Sequence, residues 1–244
     1  VNKGIHQQDV VSKRIQWSLA ALGLAALLGQ ASSAHAALAM DATRYIFPGD
    51  KDSVAITVTN ESKKTYGGQA WVDNIVEKDT RPTFVVTPSF FKLKGQGKQV
   101  LRIIQANDLP QGHESVYWLN LQDIPPALEG NGLALALRTR VKLFYRPAAL
   151  LKNRKGAEAG MQVENVTGAM ALVNTTPYIF VISAVTDAGG KPLKLTSEAA
   201  DKLLMFMPGE RVVVPPGVAK VESVDDYGAV TTVTLGAKSK KSPT

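Results

Sequence analysis

Leu133-Ala134-Leu135-Ala136-Leu137-Arg138-Thr139-Arg140-Val141-Lys142-Leu143-Phe144-Tyr145-Arg146-Pro147 alternates almost without a break. Odd positions carry Leu133, Leu135, Leu137, Thr139, Val141 and Leu143, and even ones carry Ala134, Ala136, Arg138, Arg140, Lys142 and Phe144. A period of two belongs to a β-strand, whose successive side chains point to opposite faces. The stretch predicts one long strand over 133–147 that ends at Pro147, a residue with no N–H to give to a ladder. Such a strand can bury its aliphatic face in something apolar and offer three cations from the other. Whether the apolar partner is its own core or another protein, the alternation leaves open.

Upstream, the same texture recurs in short pieces punctuated by turn residues. Extended runs are predicted over 40–47, 53–59, 66–74, 84–86, 90–93, 99–104 and 116–121, with turns at Pro48-Gly49-Asp50 and Gly95-Gln96-Gly97. Trp71 in the third run is the kind of residue that plugs the middle of a sandwich core. About seven strands between Ala37 and Pro147 fit one immunoglobulin-like sandwich. Downstream the alternation stops. Residues 148–160, with Lys152, Arg154, Lys155 and Gly156, read as a linker or exposed loop. A second β pattern follows over 161–164, 169–173, 178–185, 203–207, 211–214 and 230–235, with a turn at Asp187-Ala188-Gly189-Gly190 and one helical turn over 197–202. This makes a second sandwich over 161–237, and the polar tail over 238–244 is expected to be disordered.

The chain opens with a leader. Lys13-Arg14, the apolar run over 19–28 and the small-x-small triplet Ala34-His35-Ala36 predict a secretory signal peptide over 1–36, cut after Ala36. The apolar run is too short to cross a bilayer. Removing Lys3, Lys13, Arg14 and Asp9 from the 28 basic and 21 acidic residues leaves 25 against 20, a mildly basic chain. Arg138, Arg140 and Lys142 could track phosphates, but no aromatic platform is expected beside them and no nucleic-acid motif accompanies them, so nucleic acid is not an expected partner. There is no cysteine, so an exported fold must rest on its cores alone. The one histidine after processing, His113, sits in a turn-like stretch with no nucleophile elbow elsewhere. Thiol chemistry, cysteine-rich zinc sites and multi-histidine metal sites are excluded, no metal or other cofactor is expected, and the chain reads as no enzyme.

Several segments carry a family resemblance. Lys142-Leu143-Phe144-Tyr145-Arg146-Pro147-Ala148-Ala149 behind the alternating leucines is one. The others are Thr43-Arg44-Tyr45-Ile46-Phe47, Gln69-Ala70-Trp71-Val72, Glu114-Ser115-Val116-Tyr117-Trp118-Leu119-Asn120 with Ile124-Pro125-Pro126, Asn174-Thr175-Thr176-Pro177-Tyr178 and Asp226-Tyr227-Gly228. Together and in this order they resemble the PapD-like periplasmic chaperones of the chaperone–usher pilus pathway. The short loop before the long strand and the lack of cysteine are similar to the short-loop branch.

The resemblance implies an all-β chain of two immunoglobulin-like β-sandwich domains in a boomerang arrangement, located in the periplasm. Its expected partners are pilus subunits and an outer-membrane usher, with self-capping homodimers when no subunit is present. By the same resemblance, Arg44 and Lys142 grip a subunit's C-terminal carboxylate, and Leu133, Leu135 and Leu137 are lent to a subunit that lacks a strand. Glu114, Arg146 and Asp226 form an ionic cluster that fixes the angle between the domains. The chaperone binds by β-augmentation, in which main-chain hydrogen bonds give affinity and alternate side chains fill pockets. The alternative is a structural pilus subunit or adhesin domain, which would bring a spare N-terminal donor segment and one incomplete domain. One geometric tension is built into this reading. Lys142 has the opposite parity to the leucines, so presenting both to one partner requires a bulge or strong twist between Leu137 and Lys142.

Overall fold

The extended run predicted over 40–47 is two strands. In the computed structural model, which describes residues 36–75, 82–128, 130–166 and 168–237, β1 (Leu38–Met40) and β2 (Arg44–Pro48) belong to opposite sheets. The crossing is held by a hook: the Tyr45 hydroxyl donates to Asp41, and Ala42 N donates to that hydroxyl at 3.2 Å. The chain continues through β3 (Ser53–Asn60), β4 (Tyr66–Asn74), β5 (Phe84–Thr87), β6 (Phe90–Leu93), β7 (Lys98–Gln105), β8 (Ser115–Ile124) and β9 (Arg138–Arg146). One sheet has the order β1-β3-β7-β5 and the other β2-β9-β8-β4-β6. All pairings in this sandwich are antiparallel except β2 with β9, which is parallel.

The core between these sheets is filled from alternate positions, as a half-buried strand requires. Ile56 and Val58, Ala70 and Val72, Leu101 and Ile103, Leu119 and Leu121, and Leu143 and Tyr145 all turn inward. Its centre is aromatic, with ring centroids 5.0 Å apart for Phe47 and Phe84 and 4.9 Å apart, edge on, for Phe84 and Tyr117. Trp71 does not plug this core. Ala70 and Val72 point in, so parity turns Trp71 to the outer face, where Arg138 stacks over it.

The long strand is also shorter than its alternation. β9 starts at Arg138, and residues 133–137 lie outside any strand. From Arg138 to Arg146 the register runs without a shift, including Gln122 opposite Arg138 and Ser115 opposite Tyr145. No bulge separates Leu137 from Lys142. The ladder with β8 ends at Gln122 opposite Arg138, while β8 itself runs on to Ile124 against β4 before Pro125-Pro126.

Residues 148–160, exposed over most of their length, are more ordered than a plain linker. They form two 3-10 turns, Ala148–Asn153 and Ala157–Gly160, and bury both Arg154 and Glu158. A second sandwich follows. Its sheets are β10 (Gln162–Val166), β11 (Ala169–Val173), β13 (Arg211–Val214) and β16 (Gly236–Ala237) on one side, and β12 (Ile182–Thr186), β14 (Lys220–Val224) and β15 (Val230–Thr234) on the other. The helical turn is α1 (Ser197–Leu203), capped by the Thr196 hydroxyl, which accepts from Ala199 N at 3.2 Å. The predicted strand over 203–207 is absent: Leu203 ends the helix, and Phe206 makes only an isolated bridge to Phe180. A separate apolar contact joins the sandwiches, with Val116 and Phe144 of the first against Ile179 and Val181 of the second. Of the expected leader over 1–36 all but Ala36, and the whole tail over 238–244, lie outside the described residues.

Candidate functional site

Arg44 begins β2 because the Asp41–Tyr45 hook has just turned the chain out of the other sheet. Lys142 stands directly opposite it on β9. Two cations far apart in sequence are thus placed side by side by one parallel register. The Arg44 Nη1 donates to the Val224 carbonyl at 3.2 Å, and Lys142 Nζ donates to the Leu204 carbonyl, so each reaches a main-chain oxygen of the second sandwich. The Arg44 Nε is buried and has no hydrogen-bond partner. Burial, and then the charge of Arg44, bring the Lys142 ammonium down to about 8. Burial also lowers Arg44, partly offset by Asp226 and Asp225. Two like charges held together with an unfilled donor are chemically suited to an anion, and a carboxylate would satisfy both charge and hydrogen bonding.

The cations on β9 do have an aromatic platform, contrary to expectation. The Arg138 guanidinium lies 4.8 Å from the Trp71 ring and that of Arg140 4.4 Å from Trp118, with Lys142 Nζ 6.0 Å from the same ring. Arg138 is further fixed by Asp73 at 2.8 Å and by the Asn120 side-chain oxygen at 2.7 Å. These contacts lie on the outer face of the sheet and leave the strand's free edge uncovered. β2 covers β9 only from Lys142 to Arg146. From Arg138 to Val141 one edge of β9 has no neighbouring strand among the described residues, and that edge ends at the Arg44–Lys142 pair.

Leu133, Leu135 and Leu137 extend the same edge and are 81%, 65% and 39% exposed. They make no ladder, but their root is tied. Leu137 N donates to Asp123 Oδ1 at 2.6 Å, and Asp123 N donates to the Leu137 carbonyl at 3.0 Å.

The ionic cluster sits where the sandwiches meet. Arg146 donates through Nε to Glu114, and through Nη1 and Nη2 to the two oxygens of Asp226 at 2.7 and 2.9 Å. Glu114, 1% exposed, also accepts from Ile179 N at 2.8 Å. The cluster is larger than the three residues singled out from the sequence. Arg154 lies 3.8 Å from Asp226 and 2.6 Å from Glu158, stacked 5.1 Å from the Phe180 ring. The signal for this extension was the Arg-x-x-x-Glu spacing within a segment read as linker. Burial works to raise Asp226, but Arg146, then Arg154 and Arg44, overcome it and hold the carboxyl below its usual range.

His113 is exposed, with Nδ1 2.8 Å from the Glu114 carbonyl oxygen. Among the described residues no cluster of His, Cys, Asp or Glu could hold a metal, and no helix is long and apolar enough to cross a membrane.

Residues 37–151 match the family model described as "Pili and flagellar-assembly chaperone, PapD N-terminal domain". The chain is 61% identical to the chaperone protein ClpE of Escherichia coli over 228 residues, covering 92% of this chain and 86% of ClpE. Among solved structures it is similar to the periplasmic chaperone SfaE, with 32% identity, a TM-score of 0.65, and 82% of this chain and 100% of SfaE covered. It shares its fold with the SafB complex of Salmonella enterica, a SafA pilin bound to the SafB chaperone. There the identity is 21% and the TM-score 0.67, over 84% of this chain and 99% of that one.

Proposed function

Because the chain belongs to the PapD-like family of pilus-assembly chaperones, we propose that it works in the periplasm without enzymatic activity. It binds a pilus subunit that lacks a strand, completes the subunit's fold with its own leucine run, and passes it to an outer-membrane usher. The observation that carries this reading is the free edge of β9, continued by three exposed leucines and closed at one end by two cations. A subunit strand adding to this edge with its C-terminal carboxylate between Arg44 and Lys142 must run toward Lys142, parallel to β9, as β2 does beyond that point. Main-chain hydrogen bonds then supply affinity, and Leu133, Leu135 and Leu137 order into the ladder as they fill the subunit's groove. With no subunit present, the same edge and leucines can pair with a second copy. The chaperone names of the relatives favour this over a structural subunit or adhesin.

The test is capture of a co-expressed subunit. Arg44→Ala or Lys142→Ala should leave the far-ultraviolet circular dichroism unchanged and abolish co-purification, since truncating one partner of a desolvated charged contact costs on the order of 2–5 kcal/mol. Wild-type yields of bound subunit with both variants would remove the carboxylate role.

A further inference from the structure

Asp123 is a carboxylate in the wrong place for a free charge. It is 3% exposed, and among the described residues no cationic side chain pairs with it. A buried ionised carboxylate without a counter-charge is costly, and proteins supply a partner or neutralise it. Its two oxygens are both engaged, by main-chain nitrogens. Leu137 N donates to Oδ1 at 2.6 Å, and Ala37 N donates to Oδ2 at 3.1 Å. The second nitrogen is the first of the chain that remains after cleavage at the site predicted from Ala34-His35-Ala36.

From these positions we infer that removal of the leader creates the missing counter-ion, the Ala37 α-ammonium, and that this ion pair fixes the root of the leucine run through Asp123. Hydrolysis breaks the Ala36–Ala37 C–N bond. Water gives its hydroxyl to the Ala36 carbonyl carbon and a proton to the Ala37 nitrogen, and the new carboxyl's own proton completes the ammonium, leaving a carboxylate on Ala36. An uncharged amide with one N–H becomes a cation with three, so a hydrogen bond to the carboxylate becomes an ion pair. The ammonium cannot swing away. Ala37's carbonyl accepts from Glu61 N at 2.8 Å, and the next residue, Leu38, is buried and paired with Asn60 of β3. Asp123 is a positioning residue in this scheme. It holds Leu137 at the place where the ladder stops, and the new ammonium strengthens that hold on the point from which the exposed leucines leave the fold.

The ion pair itself stands independently of any partner, while its consequence for capture rests on the function proposed above. The experiment therefore starts with free, processed protein. The pKa of the Ala37 α-amine is read from its reactivity toward a labelled acylating reagent across pH, and the exchange of the Leu137 amide by NMR. In wild-type protein the α-amine should titrate about one pH unit or more above its ordinary value of roughly 7.7–8.0. Asp123→Asn should return it to that value. A glycine inserted between Ala36 and Ala37 and retained after cleavage leaves Asp123 intact and moves the charge away, so it covers the case in which Asp123→Asn does not fold. In that protein Leu137 should exchange about tenfold faster or more. An ordinary α-amine pKa in the wild type, or unchanged Leu137 exchange with the inserted glycine, overturns the inference. Subunit capture is scored separately. A raised α-amine pKa in a protein that captures no subunit keeps the ion pair and defeats the proposed function, whereas normal capture with an ordinary pKa does the reverse.

Discussion

Lys142 is the residue whose charge is easiest to move. Its ammonium titrates near 8 because it is partly stripped of water and then repelled by Arg44. A lysine with a lowered folded pKa costs the folded state while it is charged. The free protein should therefore gain stability as pH rises from about 8 toward the lysine's ordinary value of about 10.4. Capture should behave oppositely. A carboxylate placed between Arg44 and Lys142 raises the lysine's pKa again, so binding takes up a proton, and affinity falls as pH climbs past about 8. The expected loss approaches about tenfold per pH unit above that point. Lys142→Arg keeps its charge throughout and should give a flat profile from pH 7 to 9 if it still binds. Isothermal titration of a subunit, or of a subunit's C-terminal peptide, measures both, and parallel profiles for the two proteins would exclude Lys142 from the carboxylate site.

At the scale of the element, the stretch 133–147 divides into β9, which the protein needs, and a run before it that the protein exposes. Leu143 is fully buried in the first core, so Leu143→Ala should cost about 2–5 kcal/mol in a urea melt. Leu135 is mostly exposed, so Leu135→Glu should change stability by no more than roughly 1 kcal/mol while eliminating subunit capture. Unfolding by Leu135→Glu would mean that the leucine run serves this protein's own core. The alternation of 133–147 made the strand legible and hid this division. Period two reports which way side chains point if a strand forms, but a ladder also needs a paired partner, and β8 pairs with this stretch only as far as Gln122 opposite Arg138. Trp71 was misplaced for a related reason, its size being weighed above the parity set by Ala70 and Val72. The pairing of Arg44 with Lys142 could not be read from spacing or composition. It depends on a parallel register between strands nearly a hundred residues apart, and only the resemblance of both segments to one family brought the two together. Arg154 and Glu158 escaped because neither strand nor helix periodicity marks a 3-10 turn.

Across the whole molecule, the two sandwiches meet through a small apolar contact, one ionic cluster and the hydrogen bonds of Arg44 and Lys142 to main-chain oxygens. Arg146, at the end of β9, binds Glu114 of its own sandwich and Asp226 of the other, while Arg154 ties Asp226 to Glu158. Asp226, held below the usual carboxylate range, contributes stability that persists above its unfolded pKa and is lost as pH falls through the lower folded value. Truncation has a different signature. Arg146→Met strands Glu114, which is almost wholly buried, and should cost about 3–5 kcal/mol. Replacing the set together, as Glu114→Leu with Arg146→Met and Asp226→Asn, removes the unpaired charges and should recover most of that loss, because burying ions is itself expensive. If the cluster's role is to orient the sandwiches, the recovered protein should still fail to capture a subunit. Arg44 and Lys142 both reach main-chain oxygens of the second sandwich, so a change in its position displaces the cations from the free edge of β9. Urea melts and co-purification of the single and triple variants separate the two roles. A triple variant that is stable and captures subunit normally would show that the ions supply cohesion alone and that the orientation of the sandwiches is set by Val116, Phe144, Ile179 and Val181.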